Sequence, residues 1–130
     1  MQISGIIPQL RTTDLARSID FYTSKLGFIL AFQYEDFYAG IRLGGQMVHL
    51  KHVDCADPSI AFVDDGGHFH LYLETDDVVS ASVAMKQNGI ELEQDVHDTP
   101  WGTRECVLRD DQGHTLYVGQ PLPTPAQDAA

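Results

Sequence analysis

The sequence has 130 residues, which is the length of one domain and too short for two independent enzymatic cores. Hydrophobic residues make up 43% of the chain and charged residues 21%, a composition typical of a globular protein and not of a disordered one. Nineteen Asp and Glu against eight Lys and Arg give a formal net charge of −11. A negative field repels phosphate backbones and anionic lipid head groups, so we expect no nucleic-acid or membrane partner. It would attract a cationic small molecule, although acidity of this kind also maintains solubility.

The cysteine content and the apolar runs indicate a cellular location. Cys55 and Cys106 form no CxxC pair and are too few for a disulfide framework, so we expect reduced thiols. No apolar run approaches the roughly 20 residues that span a bilayer, and the N-terminus lacks the pattern of a signal peptide. We therefore expect a cytoplasmic protein.

The first half of the chain predicts a strand, a helix and three more strands. A strand at 6–11 leads into a helix that begins after Asp14 and ends before Gly27. Asp14 offers a side-chain oxygen to the free N–H groups of the first turn, and glycine suits the left-handed residue that follows a helix. The remaining strands are predicted at 28–34, 38–43 and 47–52.

The same order of elements recurs in the second half, as a strand at 68–74, a helix between Asp77 and Gly89, and strands at 90–96, 104–109 and 115–119. The segment 57–67 is interpreted as a linker because it contains Asp57-Pro58 and Asp64-Asp65-Gly66-Gly67. Residues 121–130 contain three prolines and no periodic apolar pattern, which indicates a flexible tail. We predict one domain of two βαβββ modules, at about 4–56 and 66–120.

Alternation along the strands sorts the side chains by face, because residues two apart in a strand point to the same side. Two such sets face solvent or a cleft, namely His68, His70, Tyr72 and Glu74 in one strand and Met47, His49 and Lys51 in another. The intervening Phe69, Leu71 and Leu73 are expected to pack under helices. Alternation also predicts that Phe32 and Tyr34 lie in the core.

Two groups of motifs are distinctive. The first is LRTTDLARSIDFY at 10–22 followed by LGF at 26–28, and the second is PWGTRE at 100–105 followed by RDDQGH at 109–114. They resemble the signatures of the vicinal oxygen chelate superfamily, which includes glyoxalase I, extradiol dioxygenases, fosfomycin resistance enzymes and bleomycin resistance proteins. The resemblance covers about residues 5 to 120. It implies an α+β fold of two βαβββ modules that form a curved half-barrel around a cleft. A homodimer is expected because open sheet edges must be paired or covered.

The resemblance also implies four metal-ligand positions, on the first and last strand of each module. Two of them fall on His49 and His70, which can bind a divalent metal through a neutral imidazole nitrogen. The others fall on Ile7 or Pro8, which have no donor atom, and on Tyr117, whose phenol is a reluctant ligand. Two imidazoles make a weak site, so we expect no cofactor, with a divalent metal as the alternative.

The replacement of two ligand positions, by Ile or Pro and by Tyr, resembles the bleomycin resistance branch of the superfamily. Members of that branch bind a planar cationic drug at the dimer interface without changing it chemically. Stacking on aromatic rings contributes about 0.5–1.5 kcal/mol to such binding beyond area burial. Trp101 is either a stacking platform or a structural anchor of its loop. The full set of expected ligand-binding residues is Trp101, His49, His70, Tyr72, Tyr117, Tyr38, Phe37 and His68.

Other candidate residues are weaker. Arg104 and Glu105 could orient a ligand, but an ion pair at the rim of the cleft is the simpler interpretation. Cys106 has no neighbour that would lower its thiol pKa, and the chain contains no nucleophile elbow or phosphate-binding glycine loop.

The sequence therefore predicts a small-molecule binding protein of the antibiotic-resistance type, a homodimer that sequesters a partly aromatic, cationic ligand without metal. One alternative is a metal-dependent lyase, isomerase or dioxygenase that uses His49 and His70. Another is a paralogue with a degenerate cleft, whose role is dimerisation or partner binding. The scaffold does not identify the ligand, because it hosts many chemistries.

Overall fold

A computed structural model describes residues 1–123, and its secondary structure follows the predicted repeat. The first module contains β1 (Gln9–Thr12), α1 (Leu15–Asp20) continued by a π-helical turn (Phe21–Lys25), β2 (Ile29–Tyr34), β3 (Tyr38–Leu43) and β4 (Gln46–His52). A further helix, α2 (Pro58–Gly66), connects it to the second module. That module contains β5 (Leu71–Glu74), α3 (Val78–Gln87), β6 (Gln94–Asp98), β7 (Thr103–Arg109) and β8 (Thr115–Pro121).

The predicted helix starts and ends are confirmed. The carboxylate of Asp14 accepts a hydrogen bond from the Arg17 backbone N–H at 3.1 Å, and that of Asp77 accepts one from Ser80 at 3.0 Å. Each bond satisfies an N–H group that has no partner inside its helix. Gly27 follows the first helix with a φ of 78°, a conformation that side chains with a Cβ rarely adopt.

Two four-stranded sheets with the same internal order form the framework. Sheet A has the order β1-β4-β3-β2 and sheet B the order β5-β8-β7-β6. In each, the first strand of the module runs parallel to the last, and the other neighbours are antiparallel. The prediction of an α+β fold with two βαβββ modules is therefore confirmed.

The sheets share one hydrophobic core, to which both modules contribute side chains such as Ile41, Leu50, Leu108 and Leu116. Because side chains alternate along a strand, each sheet turns its other side away from that core. We call these sides face A and face B. Face A carries Gln9, Arg11, Phe32, Tyr34, Tyr38, Gly40, Arg42, Met47, His49 and Lys51. Face B carries Tyr72, Glu74, Gln94, His97, Thr103, Glu105, Val107, Tyr117 and Gly119.

Polar contacts join the modules where the β7–β8 turn meets α1 and the π-helical turn. The hydrogen bonds across this joint include Tyr22 OH to Asp110 Oδ2 at 2.7 Å, Ser18 Oγ to Asp111 Oδ2 at 2.7 Å and Thr13 N to Gln112 Oε1 at 3.0 Å. Asp110 also accepts a hydrogen bond from His114 Nδ1 at 2.7 Å. Asp110 and His114 are both buried, and most polar atoms of the joint are hydrogen-bonded, whereas Asp111 Oδ1 and His114 Nε2 have no partner among residues 1–123.

The predicted linker is wrong, because most of it forms α2. Asp57 caps this helix by accepting a hydrogen bond from the Ser59 N–H at 2.9 Å, and Pro58 occupies the first turn. Gly67 ends the helix with a φ of 67°. A capping aspartate, a proline in the first turn and a closing glycine are signals for a short helix as well as for a loop.

The predicted core positions of Phe32 and Tyr34 are also wrong, since their exposed fractions are 43% and 61%. The register of β2 against β3 shifts between Leu30 and Phe32, which reverses the alternation of the strand. Phe69 is likewise exposed, at 47%, because β5 begins only at Leu71. Leu71 and Leu73 pack against the core as predicted.

Smaller differences concern element ends and the tail. β1 begins at Gln9 and not at residue 6, and β6 occupies 94–98 instead of 90–96. Pro121 belongs to β8, while residues 124–130 of the predicted tail lie outside the described residues. Among the described residues, no helix has both the length and the apolar composition that a membrane span requires.

Candidate functional site

Face A carries an aromatic cluster around His49. The Phe32 and Tyr38 rings are stacked with their centroids 6.4 Å apart. The His49 ring meets both edge-on, at 5.3 Å from Phe32 and 5.2 Å from Tyr38. Gly40 lies under the Phe32 ring, where any Cβ would collide with it. The expected ligand-binding residues Tyr38 and His49 therefore do lie together, with Phe32 as a neighbour that alternation alone did not predict.

Hydrogen bonds orient the cluster on face A. Tyr38 OH lies 2.9 Å from His49 Nδ1, and Gln9 Nε2 donates to the same hydroxyl at 3.1 Å. Phe37, also expected to bind ligand, lies beyond the cluster, with Lys51 Nζ 5.9 Å from its ring centroid. Face A thus combines ring surfaces with a hydrogen-bonded polar edge.

Face B carries a second aromatic cluster, formed by Phe69, Tyr72 and Tyr117. Phe69 lies 5.1 Å from Tyr117 and 5.8 Å from Tyr72 between ring centroids, and the two tyrosines are 6.3 Å apart. Tyr72 and Tyr117 face each other across the parallel pairing of β5 and β8. Both were expected to bind ligand, whereas Phe69 was expected in the core.

Glu105 adjoins this second cluster and does not form the expected rim ion pair. Arg104 pairs with Asp98 instead, at 2.7 Å between Nε and Oδ1. Glu105 is only 4% exposed, and its Oε2 accepts hydrogen bonds from Tyr72 OH at 3.0 Å and Thr103 Oγ1 at 3.1 Å. Burial, reinforced by the hydrogen bond to Glu105, raises the pKa of Tyr72. The phenol therefore remains a neutral donor to the carboxylate.

His70 lies away from both clusters, because it precedes β5 and contacts other elements. Its Nδ1 accepts a hydrogen bond from the Thr115 N–H at 3.2 Å, and its Nε2 lies 3.1 Å from Ser59 Oγ on α2. An Nδ1 that accepts leaves the proton of the neutral ring on Nε2. His70 then donates to Ser59 and cannot act as the base that would activate this hydroxyl.

The residues at the four implied ligand positions do not fit a divalent metal. Among residues 1–123, His49 and His70 share no hydrogen-bond partner; His49 already engages Nδ1, and His70 engages both ring nitrogens. Ile7 and Pro8 offer no donor side chain, and Tyr117 offers a phenol within an aromatic cluster. Throughout residues 1–123, no group of three or more His, Cys, Asp or Glu side chains is arranged to hold a metal ion. We therefore derive no chemical step through a metal.

Of the remaining candidates, His68 and Trp101 lie at the margins of face B. His68 follows α2 and lines an open cavity of about 270 Å³ together with Arg109 and Tyr117. Trp101 is 74% exposed in the turn between β6 and β7. Cys106 points into the core, and burial raises the pKa of its thiol to about 11, which leaves it unreactive near neutral pH.

Solved structures with the same fold include a bleomycin-binding protein, a bleomycin resistance determinant and a lyase. The bleomycin-binding protein of Streptomyces verticillus, solved with copper(II)-bleomycin, is 20% identical with a TM-score of 0.70, over 95% of this chain and 99% of that one. The bleomycin resistance determinant of transposon Tn5 is 21% identical with a TM-score of 0.75, over 92% and 98%. Lactoylglutathione lyase from Agrobacterium tumefaciens is 21% identical with a TM-score of 0.71, over 92% and 95%. At these identities the likeness concerns the fold.

The family model of the Glyoxalase/Bleomycin resistance protein/Dioxygenase superfamily matches residues 6–118. The chain belongs to this superfamily. No curated protein matches it significantly. The superfamily match covers both modules and thus confirms the resemblance that the two motif groups carry.

Within this glyoxalase-type scaffold, the expected ligand-binding residues Tyr38, His49, Tyr72 and Tyr117 lie in the two aromatic clusters, and the sequence did not predict that Phe32 and Glu105 are their neighbours. Phe32 was missed because the β2 irregularity has no signal in the sequence. Glu105 was considered only as a partner of Arg104, because its contact with Tyr72 depends on β8 lying between β5 and β7.

Proposed function

We propose that this chain is a homodimeric small-molecule binding protein that sequesters a partly aromatic, cationic ligand without metal. The observation that carries the proposal is that each sheet presents an aromatic cluster on its outer side, at Phe32, Tyr38 and His49 and at Phe69, Tyr72 and Tyr117. Ring faces of this kind bind flat ligands by stacking and attract cations.

Charge supports a cationic ligand. The net charge of −11 gives the protein a field that attracts cations, and Glu74 and Glu105 lie on face B beside the rings. The fold shared with the bleomycin-binding protein and with the bleomycin resistance determinant supports the antibiotic-resistance type of role.

A second copy of the chain would close the ligand-binding site. Face A carries Arg11, Arg42 and Lys51, whereas face B carries Glu74, so the two aromatic faces are complementary in charge. A second subunit that sets its face B opposite face A would cover both clusters and enclose the ligand between them. The isoleucines of the N-terminal segment are also exposed, with fractions of 65% at Ile3 and 82% at Ile6, and would gain from burial against a partner.

The competing function is a metal-dependent lyase, isomerase or dioxygenase, which the fold of the Agrobacterium lyase would allow. The donor set argues against it, because stable zinc sites use three or four protein ligands. Loss of both activity and bound metal in His70→Ala would be its signature.

The test is calorimetric titration of protein purified without chelator, first with bleomycin and then with a panel of flat aromatic cations. We expect saturable binding, unchanged ligand after recovery, and a sedimentation mass twice that of one chain. Tyr117→Ala should weaken binding about tenfold by removing a stacking surface. Val79→Ala, at a more exposed position on α3, is the control and should bind as the wild type does.

Two results would contradict the proposal. One is a transition metal held at about one per chain by elemental analysis. The other is the absence of binding by bleomycin and by every cation of the panel.

A further inference from the structure

Glu105 is a buried carboxylate that forms no ion pair with any Lys, Arg or His of residues 1–123, including His97, its neighbour across β6 and β7. It is 4% exposed, and the residues that contact its Oε2 are the neutral hydroxyls of Tyr72 and Thr103. Within residues 1–123, every Lys, Arg and His that forms an ion pair does so with another carboxylate. A carboxylate withdrawn from water in this way is costly unless something compensates its charge.

The second oxygen of Glu105 remains available. Oε1 accepts no hydrogen bond from residues 1–123. It differs from the fully buried polar atoms that lack a partner, which are Asp111 Oδ1, His114 Nε2 and Thr115 Oγ1. Its lone pairs are therefore not used by any group of residues 1–123. The carboxylate thus offers a free acceptor on face B while its other oxygen is held in place.

Gly119 creates the space for this arrangement. It pairs with Glu105 across β7 and β8, and it lies beneath the Tyr72 phenol, so that any Cβ at residue 119 would collide with the Tyr72 hydroxyl. The same Cβ would lie 3.1 Å from that of Glu105. With no side chain at residue 119, the phenol reaches across β8 and fixes the carboxylate beside the aromatic cluster.

We propose that Glu105 anchors the cationic group of the ligand and that this group carries N–H donors, as a primary ammonium, an amidinium or a guanidinium attached to an aromatic ring system does. The inference rests on the proposed binding function and specifies its ligand class. A free carboxylate oxygen gains a charge-assisted hydrogen bond from an N–H group, which a quaternary ammonium cannot donate. The aromatic part would then stack on Phe69 and Tyr117.

The test uses three probes that share one ring system: naphthylmethylammonium, its N,N,N-trimethyl derivative and the neutral naphthylmethanol. Each is titrated into ¹⁵N-labelled protein while amide shifts are followed by NMR. We expect the wild type to bind the primary ammonium more tightly than the other two. Glu105→Gln should weaken binding of the primary ammonium at least tenfold, as expected when a charge-assisted hydrogen bond is lost. Its binding of naphthylmethanol should be unchanged.

Glu91→Gln is the matched control, because it removes the same charge at an exposed position after α3 and should bind all three probes as the wild type does. A second readout needs no variant. The side-chain carboxyl ¹³C resonance of Glu105 should move when wild-type protein binds the primary ammonium and stay in place with naphthylmethanol.

The outcomes separate this inference from the proposed function. Three results would overturn the anchor: the wild type and Glu105→Gln bind the primary ammonium equally, the wild type binds the primary and trimethyl probes equally, or the Glu105 resonance does not move. Amide shifts on face B would still support a binding site in each case. If no probe shifts any amide of face B in the wild type, the anchor fails, and the proposed function fails with it when bleomycin and the cation panel also do not bind.

Discussion

His70 shows how the surroundings of a single residue limit its chemistry. Both ring nitrogens are engaged, by the Thr115 N–H and by Ser59 Oγ. The ring also meets His114 edge-on, with centroids 4.8 Å apart. Burial, helped by the nearby His114, lowers the pKa of His70, although Asp110 and Asp57 act in the opposite direction. The folded protein therefore resists protonation of this ring.

The lowered pKa predicts a dependence of stability on pH. In the unfolded chain a histidine takes up a proton below pH about 6.5, which the folded chain resists, so the free energy of unfolding should fall as the pH falls below that value. Denaturant unfolding at pH 7.5 and pH 5.5 measures this loss. We expect a smaller loss in His70→Asn, which keeps an acceptor for the Thr115 N–H but does not titrate.

Ser59→Ala is the matched control for this experiment, because it removes the partner of Nε2 and leaves the causes of the pKa shift in place. It should keep the pH dependence of the wild type. Equal losses in wild type and His70→Asn would show that His70 is not responsible.

At the scale of elements, local signals in the sequence identified most of the fold. The helix ends at the capping aspartates and closing glycines of α1 and α3 can be predicted from the local sequence, because each cap bonds to a group within the same turn. The same reasoning failed for α2. Its signals, Asp57, Pro58 and Gly67, also describe a loop, and the helix is only nine residues long with an Asp64-Asp65-Gly66 end that lowers its helical propensity.

The cap of α2 gives a prediction at this scale. Asp57→Ala removes the acceptor of the Ser59 N–H and should lower the free energy of unfolding by about 0.5–2 kcal/mol. Amide hydrogen exchange should accelerate within α2 before it does in the sheets. Asp65→Ala, an exposed position inside the same helix, is the control and should leave stability unchanged or slightly raised. Unaltered exchange in Asp57→Ala would mean that the cap does not maintain the helix.

At the scale of the whole molecule, the joint between the modules depends on a buried aspartate. Burial opposes ionisation of Asp110, but hydrogen bonds from His114 and Tyr22 outweigh it and hold the pKa of that carboxyl below its usual range. Burial and the nearby Asp110 raise the pKa of Tyr22, so its hydroxyl remains a donor. Near neutral pH, Tyr22 therefore stays protonated and Asp110 stays ionised.

Removing this donor should weaken the joint. Tyr22→Phe deletes the hydroxyl that bonds to Asp110 and should lower the free energy of unfolding by about 1.5–3 kcal/mol, the value for a hydrogen bond to a charged group. Denaturant unfolding followed by circular dichroism measures the change. Tyr34→Phe, which removes an exposed hydroxyl, should change stability by less than about 0.5 kcal/mol. Equal effects of the two substitutions would contradict a structural role for the joint.

The sequence by itself determined the repeat, the helix caps, the fold class and the superfamily, because each depends on residues close together in the chain or on contiguous motifs. It also singled out the rings at Tyr38, Tyr72 and Tyr117 as candidates for stacking on a ligand. Only the tertiary structure decided which rings meet, because this depends on strand order and register. The irregularity of β2 brings Phe32 to His49, and the insertion of β8 between β5 and β7 brings Tyr72 to Glu105. Neither contact is encoded in local spacing.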